Sequence, residues 1–142
     1  MSIWKKQFDL AMLNKNRENT LIEHLDIQFI DFGEDYLKAT MPVNNRTHQP
    51  MGLLHGGASV VLAETLGSIA GTLACPEGFV CVGLEINANH MRGVRSGLVT
   101  GITKALHIGR TTQVWEIKMF NDKQQLNCIS RLTLSVIKYP KK

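Results

Sequence analysis

A chain of 142 residues, 44% hydrophobic and 20% charged, has the length and balance of one globular domain, so 1–142 reads as a single domain. Its net charge of +4 sits partly in Lys138, Lys141 and Lys142, and aromatics are only 6%, which argues against the clustered basic, aromatic-interleaved face that binds nucleic acid. Three cysteines, Cys75, Cys81 and Cys128, are an odd number without metal-ligand spacing, so no metal site and no disulfide framework is expected.

Two further exclusions concern location. The opening Met1-Ser2-Ile3-Trp4-Lys5-Lys6 has no apolar core or cleavage site of a signal peptide. The longest apolar stretch is interrupted by Glu64 and reads as too short and too polar for a membrane span. With ordinary thiols, this predicts a cytoplasmic protein with no membrane partner.

In chain order, residues 7–15 form a short amphipathic helix candidate. Residues 25–31 and 36–43 alternate in polarity around Phe32-Gly33-Glu34-Asp35 and read as a β-hairpin. Residues 44–56, rich in Asn, Pro, Gly and His, read as a loop. Residues 57–74 carry Ala, Val, Leu and Ile without Pro and predict one long helix. Segments 79–87, 97–107, 111–120 and 125–137 then read as four strands separated by turn residues. Strands on short turns make an antiparallel sheet, and a nearly all-apolar helix must be covered on most sides. The expected class is α+β, a curved sheet wrapped around one helix.

The chemistry concentrates at the helix start. His55-Gly56-Gly57 precedes the helix, and Glu64 lies in its middle. A helix N-terminus offers free N–H groups where the dipole favours negative charge. A lone acid in an apolar helix is costly unless something uses or neutralises it. This pairs an oxyanion site with a catalytic carboxylate; by itself Glu64 could equally be an acid at a solvated helix edge. Ser68, four residues on, shares the face of Glu64, whereas Thr65 lies one position off it. The Ser68 hydroxyl either holds a water or bonds back to the Glu64 carbonyl. No nucleophile elbow surrounds Ser59 or Ser68.

Two turns each combine a cation, a glycine and free N–H groups, a set that suits phosphate. They are His90-Met91-Arg92-Gly93 and His107-Ile108-Gly109-Arg110-Thr111-Thr112. Arg92, Arg95 and Arg110 could also be solvated turn charges. No dinucleotide or Walker fingerprint is present.

The element order, the His-Gly-Gly-Ala helix start and a Glu nine residues after the His resemble the hotdog-fold acyl-CoA thioesterases. The branch is that of the phenylacetate-pathway and Arthrobacter-type 4-hydroxybenzoyl-CoA enzymes. The runs from Gln49 to Ser68 and from Gly83 to His90, with Gln113-Val114-Trp115, are most similar to its members that act on 1,4-dihydroxy-2-naphthoyl-CoA in menaquinone synthesis. They also resemble the paralogues that proofread aryl carrier proteins. The resemblance implies a hotdog fold and thioester hydrolysis with Glu64 as general base or nucleophile. It implies Gly56 N–H as the oxyanion donor, Gln49 on the carbonyl or the water, and His55 orienting the thioester. Gly83 and the two cationic turns would hold pantetheine and nucleotide, with Leu66, Ile69 and Met51 around the acyl group. No cofactor is implied, since coenzyme A arrives in the substrate and leaves as product.

The resemblance further implies a homotetramer, a dimer of dimers with interfacial active sites. Glu64 would come from one subunit, and Gln49, His55 and Gly56 from the other. The alternatives are a broad-specificity or carrier-protein proofreading thioesterase and a non-catalytic acyl-CoA-binding protein. A hotdog dehydratase fits less well, because its catalytic His and acid follow a different loop-helix pattern.

Overall fold

The computed structural model describes residues 1–139; Lys141 and Lys142, named above as tail charges, lie outside the described residues. A short helix α1 (Leu10–Lys15) is followed by a one-turn helix α2 (Leu21–His24) and the hairpin β1 (Gln28–Phe32) and β2 (Tyr36–Pro42). The long helix α3 (Gly56–Ala74) leads to β3 (Phe79–His90), β4 (Leu98–Ile108), β5 (Thr112–Phe120) and β6 (Leu126–Lys138). The six strands form one antiparallel sheet in the order β1-β2-β4-β5-β6-β3, the hotdog arrangement around a central helix.

Local chemistry sets the ends of these elements. Asp9 caps α1, accepting from Met12 N at 2.8 Å, so that helix begins later than residue 7. Helix α2 was not anticipated; residues 25–27 belong to its end and the approach to β1. Its sequence signal is Thr20 with Glu23 three residues on, and Thr20 Oγ1 does accept from Ile22 N. His90, expected in a turn, ends β3; His107 and Ile108 end β4, and Thr112 opens β5. Only residues 109–111 connect β4 to β5.

Helix α3 lies against β2, β3, β4, β5 and β6. Leu62 and Leu66 are fully buried, each stabilising the fold by roughly 1.5–3 kcal/mol relative to exposure. Small residues let helix and sheet approach: a Cβ on Gly67 would lie 2.5 Å from Leu132 Cδ2, and one on Gly71 2.5 Å from Leu134 Cδ1. Buried Gln113 ties the layers together. It donates to Gly71 O at 3.3 Å and accepts from Trp115 Nε1 at 2.8 Å.

Two expectations are corrected. At 19 residues α3 is long and apolar enough, by length and composition, to cross a membrane. Half of its most apolar stretch is buried inside this fold, and the sheet is what its apolarity serves. Leu66, expected beside the acyl group, is core: a Cβ on Gly101 would lie 2.6 Å from its Cδ1.

Finally, the N-terminal segment closes the far end of α3. Lys5 N and Lys6 N donate to Leu73 O at 2.9 and 3.3 Å. Trp4 stacks on Trp115 with ring centroids 6.4 Å apart, and its Nε1 donates to Gly33 O.

Candidate active site

His55 is the N-cap of α3: its extended backbone precedes the first turn, and its Nδ1 accepts from Gly57 N at 2.8 Å. That bond makes Nδ1 the acceptor and Nε2 the protonated nitrogen. Its backbone N donates to Thr47 O at 2.7 Å, which pins the loop to the helix start. Gly56 is the first helical residue, so its N–H has no intrahelical acceptor. None of the described loop or capping hydrogen bonds uses that N–H. A Cβ at Gly56 would lie 3.0 Å from His90 Nε2, so the His90 ring covers this turn and would shift by a few tenths of an ångström to admit one.

Gln49 reaches the same place by a tight turn. Gly52 N donates to Gln49 O at 2.9 Å, with Gly52 at φ +77°, and Gln49 Oε1 accepts from Met51 N. A cavity of about 360 Å³ at the helix start is lined by Gln49, Gly56, Ser59, His90, Arg92 and Asn127, with Met91 and Gly93 also on its wall. The loop, the helix start and the first cationic turn therefore converge. Asn127 was not singled out from the sequence, and only the sheet register explains its presence.

Glu64 lies elsewhere. It is half-buried on α3, and its carboxylate rests against Gly83 of β3 so closely that a Cβ there would overlap Oε2. Eight residues separate Glu64 from Gly56, about 12 Å along the helix axis. Within one subunit these two groups cannot serve one carbonyl. Beyond Glu64, Ser68, Ile69 and Thr72 border a second cavity of about 430 Å³. Its other walls are Lys6, Gln7, Met12, Leu13, Asn16, Arg17, Ile22, Leu73, Glu77 and Cys81, so it lies between α3 and the N-terminal segment. Met51 is 73% exposed and lines neither cavity.

The second cationic turn stands apart. Gly83 pairs with Leu134, Leu134 with Gln113, and Gln113 with Ile108, whereas His90 is level with Cys128 and Met119. The two levels are six residues apart on β5, about 20 Å. His107, Ile108, Gly109, Arg110, Thr111 and Thr112 are therefore remote from Gly56 in the same chain, on the level of Gly83. One ligand can touch both turns only by spanning that length or by contacting two chains.

The thioesterase superfamily model matches residues 51–128, more than half the chain. The chain belongs to the thioesterase superfamily. A 1,4-dihydroxy-2-naphthoyl-CoA hydrolase from Escherichia coli is 54% identical over 136 residues, 95% of this chain and 99% of that one. A proofreading thioesterase, EntH, from Cronobacter turicensis is 50% identical over 135 residues, 95% and 98% of the two chains. The solved structure of a Haemophilus influenzae thioesterase superimposes with a TM-score of 0.95 at 52% identity, covering 98% of this chain and 97% of the other. The protein is a hotdog-fold thioester hydrolase, with the fold and enzyme class that its motifs implied.

Proposed function

We propose that this thioesterase hydrolyses acyl-CoA esters of bulky, aromatic acids, with the acyl group in the cavity that starts one turn beyond Glu64. The observation that carries the reading is the Glu64 carboxylate held against Gly83, on the helix face that continues through Ser68 into that cavity. A carboxylate so held can activate a water or attack the carbonyl itself. The cavity volume of about 430 Å³ lies within the usual range for small-ligand sites, and its Ile69, Met12, Leu13, Ile22 and Leu73 offer apolar contact.

The oxyanion donor is Gly56 N–H of a second subunit, with Gln49 beside it. The reason is the distance of about 12 Å along α3, which one carbonyl cannot bridge. Strand β3 supplies the interface: it is twelve residues long, lies at the sheet edge and exposes Val82 and Leu84. An edge of that length is a template for pairing with a second copy about a two-fold axis. Such a dimer also lets the two cationic turns come from different chains to one coenzyme A. The dimers pair further into a tetramer, and three unpaired, buried thiols suit a reducing cytoplasm. The relative named for 1,4-dihydroxy-2-naphthoyl-CoA hydrolysis supports a CoA ester as substrate, and a carrier-protein ester is the alternative. Both share the phosphopantetheine arm.

The test is thiol release from a panel of aryl-CoA, aliphatic acyl-CoA and aryl-carrier-protein thioesters. Wild type is compared with Glu64→Gln and Gly56→Pro; the latter deletes the N–H at a helical position that tolerates proline. Aryl-CoA turnover that each variant loses is expected. Mixing the two inactive variants and letting subunits exchange should restore about a quarter of wild-type activity, since half the dimers are mixed and each holds one intact site. No recovery despite demonstrated exchange would overturn the two-subunit site. A preference for carrier-bound esters would move the substrate to the proofreading class.

A further inference from the structure

One group in the cavity at the start of α3 is used by neither the fold nor the reaction as derived so far. Asn127 is 3% exposed and lines that cavity beside Gly56, Ser59 and His90. Its Oδ1 is buried without any hydrogen-bond partner, alone among the buried side-chain nitrogen and oxygen atoms of the described residues. Buried polar groups are nearly always paired, because stripping them of water otherwise goes uncompensated. The exception calls for a ligand.

The backbone shows how Asn127 comes to face this way. On β6, Leu126 pairs with Phe120 and Cys128 with Met119, so Asn127 is the extra residue of a β-bulge. Alternation is broken there, and both Asn127 and Cys128 are buried. Bulges re-aim side chains, commonly beside active sites. The Asn127 carbonyl accepts from Met91 N at 3.0 Å, which anchors its backbone to the first cationic turn. A carboxamide is thus held on a fixed backbone beside a long helix's free N–H, with Arg92 on the same wall.

A carboxamide presents one acceptor and two donors, and its natural complement is a secondary amide, with one N–H and one C=O. Resting on the thioesterase reading above, we propose that Asn127 binds the pantetheine amide nearest the thioester sulfur. With the thioester oxygen on Gly56 N–H, that amide follows two carbons beyond the sulfur, inside the same cavity. Asn127 is then a substrate-binding residue that recognises the thiol half of the substrate and is indifferent to the acyl half.

The experiment compares two thioesters of one aryl acid. The first is the N-acetylcysteamine ester, which keeps this amide. The second is the 2-acetoxyethanethiol ester, in which an oxygen replaces the amide N–H. Wild type should favour the amide about tenfold in kcat/KM, and Asn127→Leu should abolish that preference. Asn127→Ala, without the bulk of leucine, should do the same. Coenzyme A itself, titrated by calorimetry, should bind about tenfold more weakly to Asn127→Leu. Because the substitution removes an unpaired buried group, its Tm should equal or exceed that of wild type.

The outcomes separate the two ideas. If wild type hydrolyses both esters equally and coenzyme A binding ignores the substitution, Asn127 holds only a water or packs, and the assignment fails while the hydrolase reading stands. If wild type hydrolyses neither ester yet coenzyme A binding falls in Asn127→Leu, the assignment stands and the aromatic-acyl reading fails. A lowered Tm with an unchanged amide preference would also overturn the assignment in favour of a structural role.

Discussion

Adding one methyl group to Gly83 should separate catalysis from stability. A Cβ there would overlap Glu64 Oε2, the end of a flexible side chain, while no residue backbone lies in its way. Moving the carboxylate off its rotamer costs about 0.5–1.5 kcal/mol. Replacing a strand glycine by alanine returns about 0.5–1 kcal/mol. The two nearly cancel, so Gly83→Ala should keep its Tm within a few degrees of wild type. Catalysis has no such offset: displacing a reacting group by ~1 Å costs about a hundredfold. Steady-state kinetics on an aryl-CoA should therefore show kcat down about a hundredfold with little change in KM. The double variant Gly83→Ala with Glu64→Gln should be no slower than Glu64→Gln alone, because the glycine acts through the acid. An unchanged kcat in Gly83→Ala would refute the reasoning and remove Glu64 from the chemistry.

Three other perturbations test separate parts of the argument. Gly56→Pro should lower kcat by about 10²–10³, the usual effect of losing one oxyanion donor, with an unchanged far-UV spectrum. Gly71→Ala should be destabilising despite a helix-propensity gain of about 1 kcal/mol, because the new Cβ would meet Leu134, Gln113 and Cys81 at 2.5, 2.7 and 3.1 Å. Overpacking of this kind costs about 1–3 kcal/mol, read as a Tm lowered by a few degrees. Burial first, and the neighbouring Cys75 thiol second, push the Cys81 thiol up from about 9 to about 12. The folded state thus holds its proton where the unfolded chain has released it, so this contribution is complete below about pH 9 and is lost as pH rises towards 12. Thermal melts across that range should show a shallower alkaline decline in Cys81→Ala than in wild type.

Much of the fold was legible because period and punctuation are local properties. Four strands after the helix, the hairpin before it and the helix itself follow from alternation, turn residues and the apolar run without proline. What local pattern lacked was pairing. His90 belongs to a strand because Cys128 pairs with it, a contact 38 residues away in sequence. Helix α2 escaped because one turn carries no periodicity, although Thr20 and Glu23 marked its start. Leu66 looked available to a ligand because a helix sequence shows apolar faces without saying which one the sheet takes.

The candidate site divides in the same way. The sequence by itself determined that a helix begins at a His-Gly-Gly turn, that Glu64 and Ser68 share one face, and that both cationic turns exist. Each of these depends on residues within a few positions of one another. Only the tertiary structure decided that Glu64 rests on Gly83, that Gln49, Gly56 and His90 border one cavity, and that the second turn stands at the other level of the sheet. It also decided that Asn127 faces the cavity, since a bulge arises only from how β6 registers with β5. Those facts depend on register and strand order, which the balance of burial across the whole sheet fixes and no short stretch of sequence contains.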